Sequence, residues 1–212
     1  MSVFANFLNI KDKIDKLSKE TKLIVITKNQ PIEMYQKIID SGHFHFGENL
    51  VQEAVSKWTN VLNNNEFIQL HLVGALQTNK VDKAVNIFSC IHSLDRIKLA
   101  DKLKDEEIKQ KKKLKYFIQV NIGGELQKSG IDFVKTRDFI KYCSVDLRLN
   151  VIGLMCIPPA KSVPDQYFIN LANLAKANNL NELSMGMSND YECAIKNGAT
   201  FIRVGSKIFS KV

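Results

Sequence analysis

A lysine directly follows an apolar run near the start of the chain. Residues 23–26 read Leu-Ile-Val-Ile, and Thr27 and Lys28 come next. The run is typical of a buried parallel strand, and Asn29-Gln30-Pro31 predicts a turn after it. One interpretation makes Lys28 an ordinary solvated loop residue. The other makes it a nucleophile, because a desolvated amine at the mouth of an apolar barrel can attack an aldehyde and form a Schiff base.

Polar residues and two turns rich in glycine and serine come at the ends of other predicted strands. The turns are 185–188 and Gly205-Ser206, and both lie beside predicted helix starts. Backbone N–H groups and hydroxyls in such turns bind phosphate. A lysine combined with phosphate-binding turns fits a phosphorylated aldehyde, either pyridoxal 5′-phosphate or an aldolase-type sugar phosphate. The polar or turn residues at the predicted strand ends are Lys28, Glu48, Asn49, His71, Gly74, Asn121, residues 155–158, residues 184–188, Arg203, Gly205 and Ser206. The candidate site residues within this set are Lys28, Asn49, His71, Met187, Ser188, Arg203, Gly205 and Ser206.

The elements that must position these residues alternate along the chain. Apolar spacing predicts an N-terminal helix over 6–21, after which strands and helices follow in turn. The predicted strands are 23–27, 44–48, 67–73, 87–93, 116–122, 150–157, 182–185 and 201–204, and the helices between them are 33–40, 49–58, 79–85, 95–113 with Asp95 as N-cap, 133–143, 165–178 and 191–197. This pattern favours one domain over 1–212, an α/β fold of the closed (β/α)8 TIM-barrel type, with an open doubly wound sheet as the alternative.

Composition and charge narrow the class of protein. The 212 residues are 45% hydrophobic and 25% charged, which is typical of a globular domain. The four cysteines form no CxxC pair, and the N-terminus lacks a signal-peptide pattern, so we expect a cytoplasmic protein without a membrane partner. The net charge is +8, but the basic run 109–115 has no aromatic residues that would indicate single-strand binding. We interpret that run as the solvated end of a helix.

Seven motifs, in order from about residue 20 to the end of the chain, resemble those of one family. The resemblance is to the YggS/PROSC family of pyridoxal phosphate homeostasis proteins. The motifs are Thr27-Lys28; Phe46-Gly47-Glu48-Asn49 with Val51-Gln52-Glu53; His71 with Gly74 and Leu76-Gln77-Thr78-Asn79-Lys80; Lys128-Ser129-Gly130; Gly153-Leu154-Met155 with Ile157-Pro158; Ser184-Met185-Gly186-Met187-Ser188 with Asp190; and Arg203-Val204-Gly205 with Ile208-Phe209.

The resemblance implies a single barrel related to the N-terminal domain of alanine racemase, with pyridoxal phosphate on Lys28 as a Schiff base. It implies that Arg203 faces the pyridine nitrogen. A guanidinium cannot accept a proton from the ring, so it keeps that nitrogen unprotonated and the ring a poorer electron sink. The resemblance further implies that Ser188 and Gly205-Ser206 bind the phosphate, and that Asn49 and His71 line the side of the cofactor.

Some residues depart from the family pattern or admit another interpretation. Ala75 stands where many members have proline, Gly123-Gly124 replaces a more polar pair, and Ser210 follows Phe209 where a glycine is usual. The alternatives for single residues are that Lys80 or Lys128 meets an aldehyde, that Arg203 pairs with Glu48 or Asp190, that His71 is only a satisfied barrel histidine, and that His43 and His45 bind a metal, which no nearby third ligand favours.

Three functions remain open at this point. The first is a non-catalytic carrier that stores pyridoxal phosphate, buffers it and delivers it to apo-enzymes. The second is a pyridoxal phosphate enzyme with weak or unknown amino-acid chemistry, similar to a racemase. Alanine racemase needs a second base, a tyrosine from an added domain of the partner subunit, and we expect no such domain after residue 212. The third is a basic surface for nucleic acid or a partner. We favour the carrier, as a monomer that binds no nucleic acid.

Overall fold

Eight parallel strands close into a barrel in the computed structural model, which describes residues 2–125, 127–160 and 162–210. Strand β1 pairs with β2 on one side and β9 on the other, and the pairing of β4 with β5 closes the ring. The predicted TIM-type fold is therefore confirmed. The barrel strands are β1 Lys22–Ile26, β2 His45–Glu48, β3 Gln69–Leu72, β4 Cys90–Leu94, β5 Lys115–Asn121, β7 Val151–Met155, β8 Glu182–Met187 and β9 Phe201–Val204; β6, Ile131–Asp132, is a short addition beside β5.

Helices surround the barrel, and their buried side chains are mostly apolar. Helix α3, for example, buries Val51, Ala54 and Trp58 at helical spacing. No helix in the described ranges is long and apolar enough to span a membrane. The helices are α1 Val3–Leu17, α2 Gln36–Asp40, α3 Val51–Asn64, α4 Val81–Ile87, α5 Ile97–Gln110, α6 Thr136–Lys141, α7 Asp165–Ala177, α8 Tyr191–Lys196 and α9 Ser206–Phe209.

Several predicted helix ends are wrong for local reasons. The N-terminal helix begins at Val3 rather than at residue 6, because the hydroxyl of Ser2 accepts a hydrogen bond from the N–H of Ala5 and caps it. Asp95 is not the N-cap of α5. Its carboxylate binds the guanidinium of Arg96, 2.5 Å away, and Arg96 is the residue before the helix. Helix α6 also starts later than predicted.

Other predicted boundaries differ from the observed ones where one element ends close to the start of the next. The predicted helix 33–40 is split into a 3-10 turn, Ile32–Met34, and the short α2. The fourth strand begins at Cys90, since α4 extends to Ile87. The basic run 109–115 is only partly a solvated helix end, because α5 stops at Gln110 and the last lysine of the run opens β5.

The strands alternate between the barrel interior and the outer layer, and this alternation aims the site residues. Ile24 and Ile26 of β1 belong to the inner cluster, with Phe117 and Phe201. The intervening residues of β1 pack outward against the helices. Position 28 continues the inward set of β1, and position 203 continues that of β9. Both predicted site residues therefore point over the same end of the barrel.

Candidate functional site

A cavity of about 670 Å³ lies at the C-terminal mouth of the barrel. Active sites of this fold occur at that face. Ile26, Val73 and Ile157 form part of its apolar wall, and Pro158 and Pro159 close one side. Of the eight site residues predicted from the sequence, the structure brings seven together here: Lys28, Asn49, Met187, Ser188, Arg203, Gly205 and Ser206.

His71 is the exception, because it does not line this cavity, and its contacts agree with the alternative that it is a satisfied barrel histidine. It lies inside β3 and is buried, with its ring nitrogens 2.9 Å from His45 and 2.9 Å from His92. The inward-facing residue that reaches the cavity is Val73, two positions further along the chain. His71 therefore sits one layer deeper in the barrel. Cys90 joins His71 and His92 in a group with ligating atoms within 4.8 Å of one another, but the two histidines already hydrogen-bond to each other.

Lys28 occupies an exposed turn that a second lysine holds in place. The ammonium of Lys57 donates to the backbone oxygens of Thr27, at 2.7 Å, and Gln30, at 3.2 Å, on either side of Lys28. The N–H of Asn29 donates to the carboxylate of Glu53 at 2.6 Å. These contacts anchor a turn in which Asn29 has a left-handed backbone, φ 57°. The position of Lys28 is therefore fixed by its neighbours.

The acidic groups near the turn are engaged by Lys57 rather than by Lys28. Lys57 lies 2.7 Å from the carboxylate of Glu48 and 2.9 Å from that of Glu53. Glu48 is completely buried and also accepts hydrogen bonds from Thr27 and Trp58. Lys28 lines the cavity, whereas the carboxylates of Glu48 and Glu53 are paired with Lys57. Sequence reasoning missed Lys57, although the Glu53–Lys57 spacing of four residues predicts a pair on one helix face.

Arg203 is a buried cation that lines the cavity. It is 5% exposed, and it donates to the hydroxyl of Ser184 at 2.7 Å and to the backbone oxygen of Cys156 at 3.0 Å. Burial lowers the pKa of its guanidinium. Within the described ranges it forms no ion pair, so the alternative partners, Glu48 and Asp190, are not bound to it. A buried charge without a counter-charge is costly, which makes an anionic or electron-rich ligand favourable here.

Two serines meet where the last strands end. The hydroxyl of Ser206 donates to that of Ser188 at 2.9 Å, and the N–H of Lys207 lies 3.5 Å from the same oxygen. Gly205 lets this turn approach β1, since a Cβ there would come within 3.0 Å of the backbone oxygen of Ile26. Hydroxyls and N–H groups gathered in this way provide donors for phosphate oxygens.

The remaining lysine candidates do not line the cavity. The ammonium of Lys128 binds the carboxylate of Glu125 at 2.6 Å and the backbone oxygen of Pro158 at 3.1 Å. Lys80 ends a 3-10 turn before α4 and does not line the cavity. Asn49 does line it, and its backbone lies against Gly74, where an added Cβ would collide with it. Lys28 is therefore the lysine that this geometry favours for an aldehyde.

Comparison with known proteins identifies the family. The model of the alanine racemase N-terminal domain matches residues 2–211. The chain belongs to this family. A pyridoxal phosphate homeostasis protein of Aquifex aeolicus is 35% identical over 90% of this chain and 86% of its own length. That of Escherichia coli K12 is 32% identical over 96% and 94%. The family resemblance stated from the motifs is thereby confirmed.

Solved structures agree with this assignment. PipY of Synechococcus elongatus, determined with pyridoxal phosphate bound, is 32% identical, covers 99% of this chain and 100% of its own, and superposes with a TM-score of 0.87. Alanine racemase of Clostridium difficile is 12% identical and has a TM-score of 0.74, with 57% of that chain covered, which shows a shared fold alone.

Proposed function

We propose that this chain binds pyridoxal 5′-phosphate as a Schiff base on Lys28 and serves its homeostasis by storing, buffering and delivering it. The observation that carries the proposal is the convergence of an anchored lysine, a buried arginine and a pair of serines on one cavity. The names of the relatives, and the pyridoxal phosphate bound in PipY, support the same ligand. These features favour it over a sugar phosphate.

Each residue of the cavity suits a different part of the ligand. Lys28 supplies the amine for the aldehyde, and Ser188 and Ser206 offer hydroxyls to the phosphate. Arg203 provides only N–H donors, so it suits an unprotonated pyridine nitrogen. Asn49 and Met187 line the cavity and would flank the ring. When bound, pyridoxal phosphate supplies an electrophilic aldehyde that combines reversibly with amines.

A storage role fits this cavity better than turnover does. Arg203 would keep the ring nitrogen an acceptor, which would weaken the ring as an electron sink. Racemisation also needs a second proton-transferring group on the opposite face of the cofactor. In the described ranges, no tyrosine, histidine or cysteine lines the cavity, and the carboxylate that does, Asp190, accepts a hydrogen bond from the backbone N–H of Met187 at 2.6 Å. The exposed Lys28 at the open mouth supports exchange of the ligand with solvent or with apo-enzymes. We further propose a single-domain monomer that works in the cytoplasm.

The test is an absorption spectrum of purified protein with pyridoxal phosphate, for the wild type and for Lys28→Ala. The wild type is expected to show a visible band that Lys28→Ala lacks. Lys80→Ala is the matched control, because Lys80 lies outside the cavity and should keep the band. A band that survives in Lys28→Ala would move the attachment to another lysine. Absence of a band in every protein would overturn the proposal, and enzyme-like racemisation of alanine would overturn its carrier form.

A further inference from the structure

Three of the four histidines form a continuous line through the barrel interior. The Nδ1 of His45 lies 2.9 Å from the Nε2 of His71, and the Nδ1 of His71 lies 2.9 Å from the Nε2 of His92. The Nδ1 of His92 lies 2.8 Å from the hydroxyl oxygen of Ser184. That oxygen accepts the hydrogen bond from Arg203 at 2.7 Å. The line thus begins at the cavity and runs inward through four inward-facing side chains.

The far end of this line reaches the opposite mouth of the barrel. His45 is half-buried and lines a second cavity of about 710 Å³, together with Lys22 and Lys115. Its Nε2 has no protein partner in the described part of the chain, so it faces the space of that cavity. The line therefore connects the two ends of the barrel, and its last nitrogen is the point where a proton can be shared with solvent.

Arg203 determines the direction of every hydrogen bond in the line. A guanidinium can only donate, so the oxygen of Ser184 accepts from it and the Ser184 hydroxyl must donate to the Nδ1 of His92. The Nε2–H of His92 then donates to His71, and the Nε2–H of His71 donates to His45. If the hydrogen bonds ran in the opposite direction, the Ser184 oxygen would accept from both Arg203 and His92. Its own proton would be buried without an acceptor among the described residues, which is costly.

The surroundings keep the three rings neutral and in place. Burial lowers the pKa of His71 and His92 well below the usual value, and that of His45 to about 3. Phe117 stacks on His92 with ring centres 4.3 Å apart, and Phe201 contacts all three imidazoles. A neutral imidazole has one donor and one acceptor, which is what each position in the line requires.

We propose that Ser184, His92, His71 and His45 form a one-directional hydrogen-bond chain that positions Arg203 and supports its charge in place of a carboxylate. Each member turns a lone pair towards Arg203 and a proton away from it, so their dipoles add. Because no counter-ion among the described residues neutralises the guanidinium, its charge and free N–H groups remain available to the ligand. The effect on the ligand rests on the proposed function, whereas the direction of the chain does not.

The direction can be measured without any cofactor. Nitrogen chemical shifts of ¹⁵N-labelled apo-protein distinguish the two neutral forms of each histidine. His45, His71 and His92 are all expected to carry the proton on Nε2. A proton on Nδ1 of His71 or His92, or a charged ring at either position at neutral pH, overturns the proposal. In Arg203→Met the Ser184 oxygen is released, so the chain is expected to show both directions. His43, outside the chain, is the internal control.

A pair of serine variants tests the support given to Arg203. Ser184→Ala removes the hydroxyl that joins Arg203 to His92, and pyridoxal phosphate is expected to bind about tenfold more weakly or worse. Ser93→Ala is the matched control, because Ser93 is equally buried and its hydroxyl has no partner in the described chain. Equal affinity of the two variants overturns the positioning role. If the wild type itself binds no pyridoxal phosphate, the proposed function fails, while the nitrogen shifts still decide the direction of the chain.

Discussion

Lys57→Met tests the clamp that holds the Lys28 turn. Lys57 neutralises the buried Glu48 and binds the backbone oxygens of Thr27 and Gln30. Methionine keeps the length of the side chain but removes the charge and its hydrogen bonds. The variant therefore leaves a fully buried carboxylate without its cation and frees both sides of the turn that carries Lys28.

The expected cost follows from the burial of the pair. The side chain of Glu48 is 0% exposed and that of Lys57 15% exposed. Removing one partner of such a pair costs about 3–5 kcal/mol, since the other charge stays buried. For a chain of this length, 1 kcal/mol changes Tm by about 2–4 °C, so Tm is expected to fall by about 6–20 °C. The double variant Lys57→Met with Glu48→Gln should recover most of this loss, because it leaves no fully buried charge unpaired; Glu53, the other partner of Lys57, has a side chain that is 20% exposed.

Thermal unfolding followed by circular dichroism measures the loss, and the visible band of added pyridoxal phosphate reports the Lys28 turn. Lys16→Met is the matched control, since its ion pair with Asp12 lies on an exposed helix surface, with side chains 72% and 59% exposed. That pair is worth less than about 1 kcal/mol. A fall in Tm of less than about 2 °C for Lys57→Met, or a double variant as unstable as the single one, would refute the reasoning.

Three further expectations concern the stability of the protein at low pH, the variant Gly74→Ala and the reactivity of the cysteines. Burial lowers the pKa of His43 to about 4 and of His45 to about 3. The unfolded chain therefore binds more protons below about pH 6.5, and Tm should fall between about pH 7 and pH 5; a constant Tm would contradict this. Gly74→Ala should weaken pyridoxal phosphate binding while the protein stays folded, because its Cβ displaces the backbone of Asn49; unchanged affinity would exclude that displacement. With a thiol reagent, Cys193 should react first, since the other cysteines are buried, and Cys193→Ser should abolish the fast phase.

The order of strands and helices could be read from the sequence because it depends on local patterns. Apolar runs and helical spacing predicted eight barrel strands, and the structure contains them. Lys28 and Arg203 could be placed at the same mouth because parallel strands in a barrel all end on one side. The ends of helices were less predictable. Asp95 has the side chain of an N-cap, yet a contact with its neighbour Arg96 prevents that role.

The clamp on Lys28 and the surroundings of Arg203 could not be predicted in the same way. Lys57 lies on the helix after β2 but binds the turn after β1, and this contact exists only once the two strands are paired. The acceptors of Arg203 come from β8 and from the segment after β7. No local pattern states which polar side chain will face a charge from another strand.

The sequence by itself determined the barrel and the family and placed Lys28 at the mouth of the barrel, because these follow from residue types in order along the chain. The alternation of β3 also fixed which face His71 occupies. Only the tertiary structure decided how deep it lies, because depth depends on the stagger of neighbouring strands around the ring. The stagger places His71 between His45 and His92, below the cavity that Val73 lines. The stagger thereby places His71 inside the barrel, apart from the residues that line the cavity.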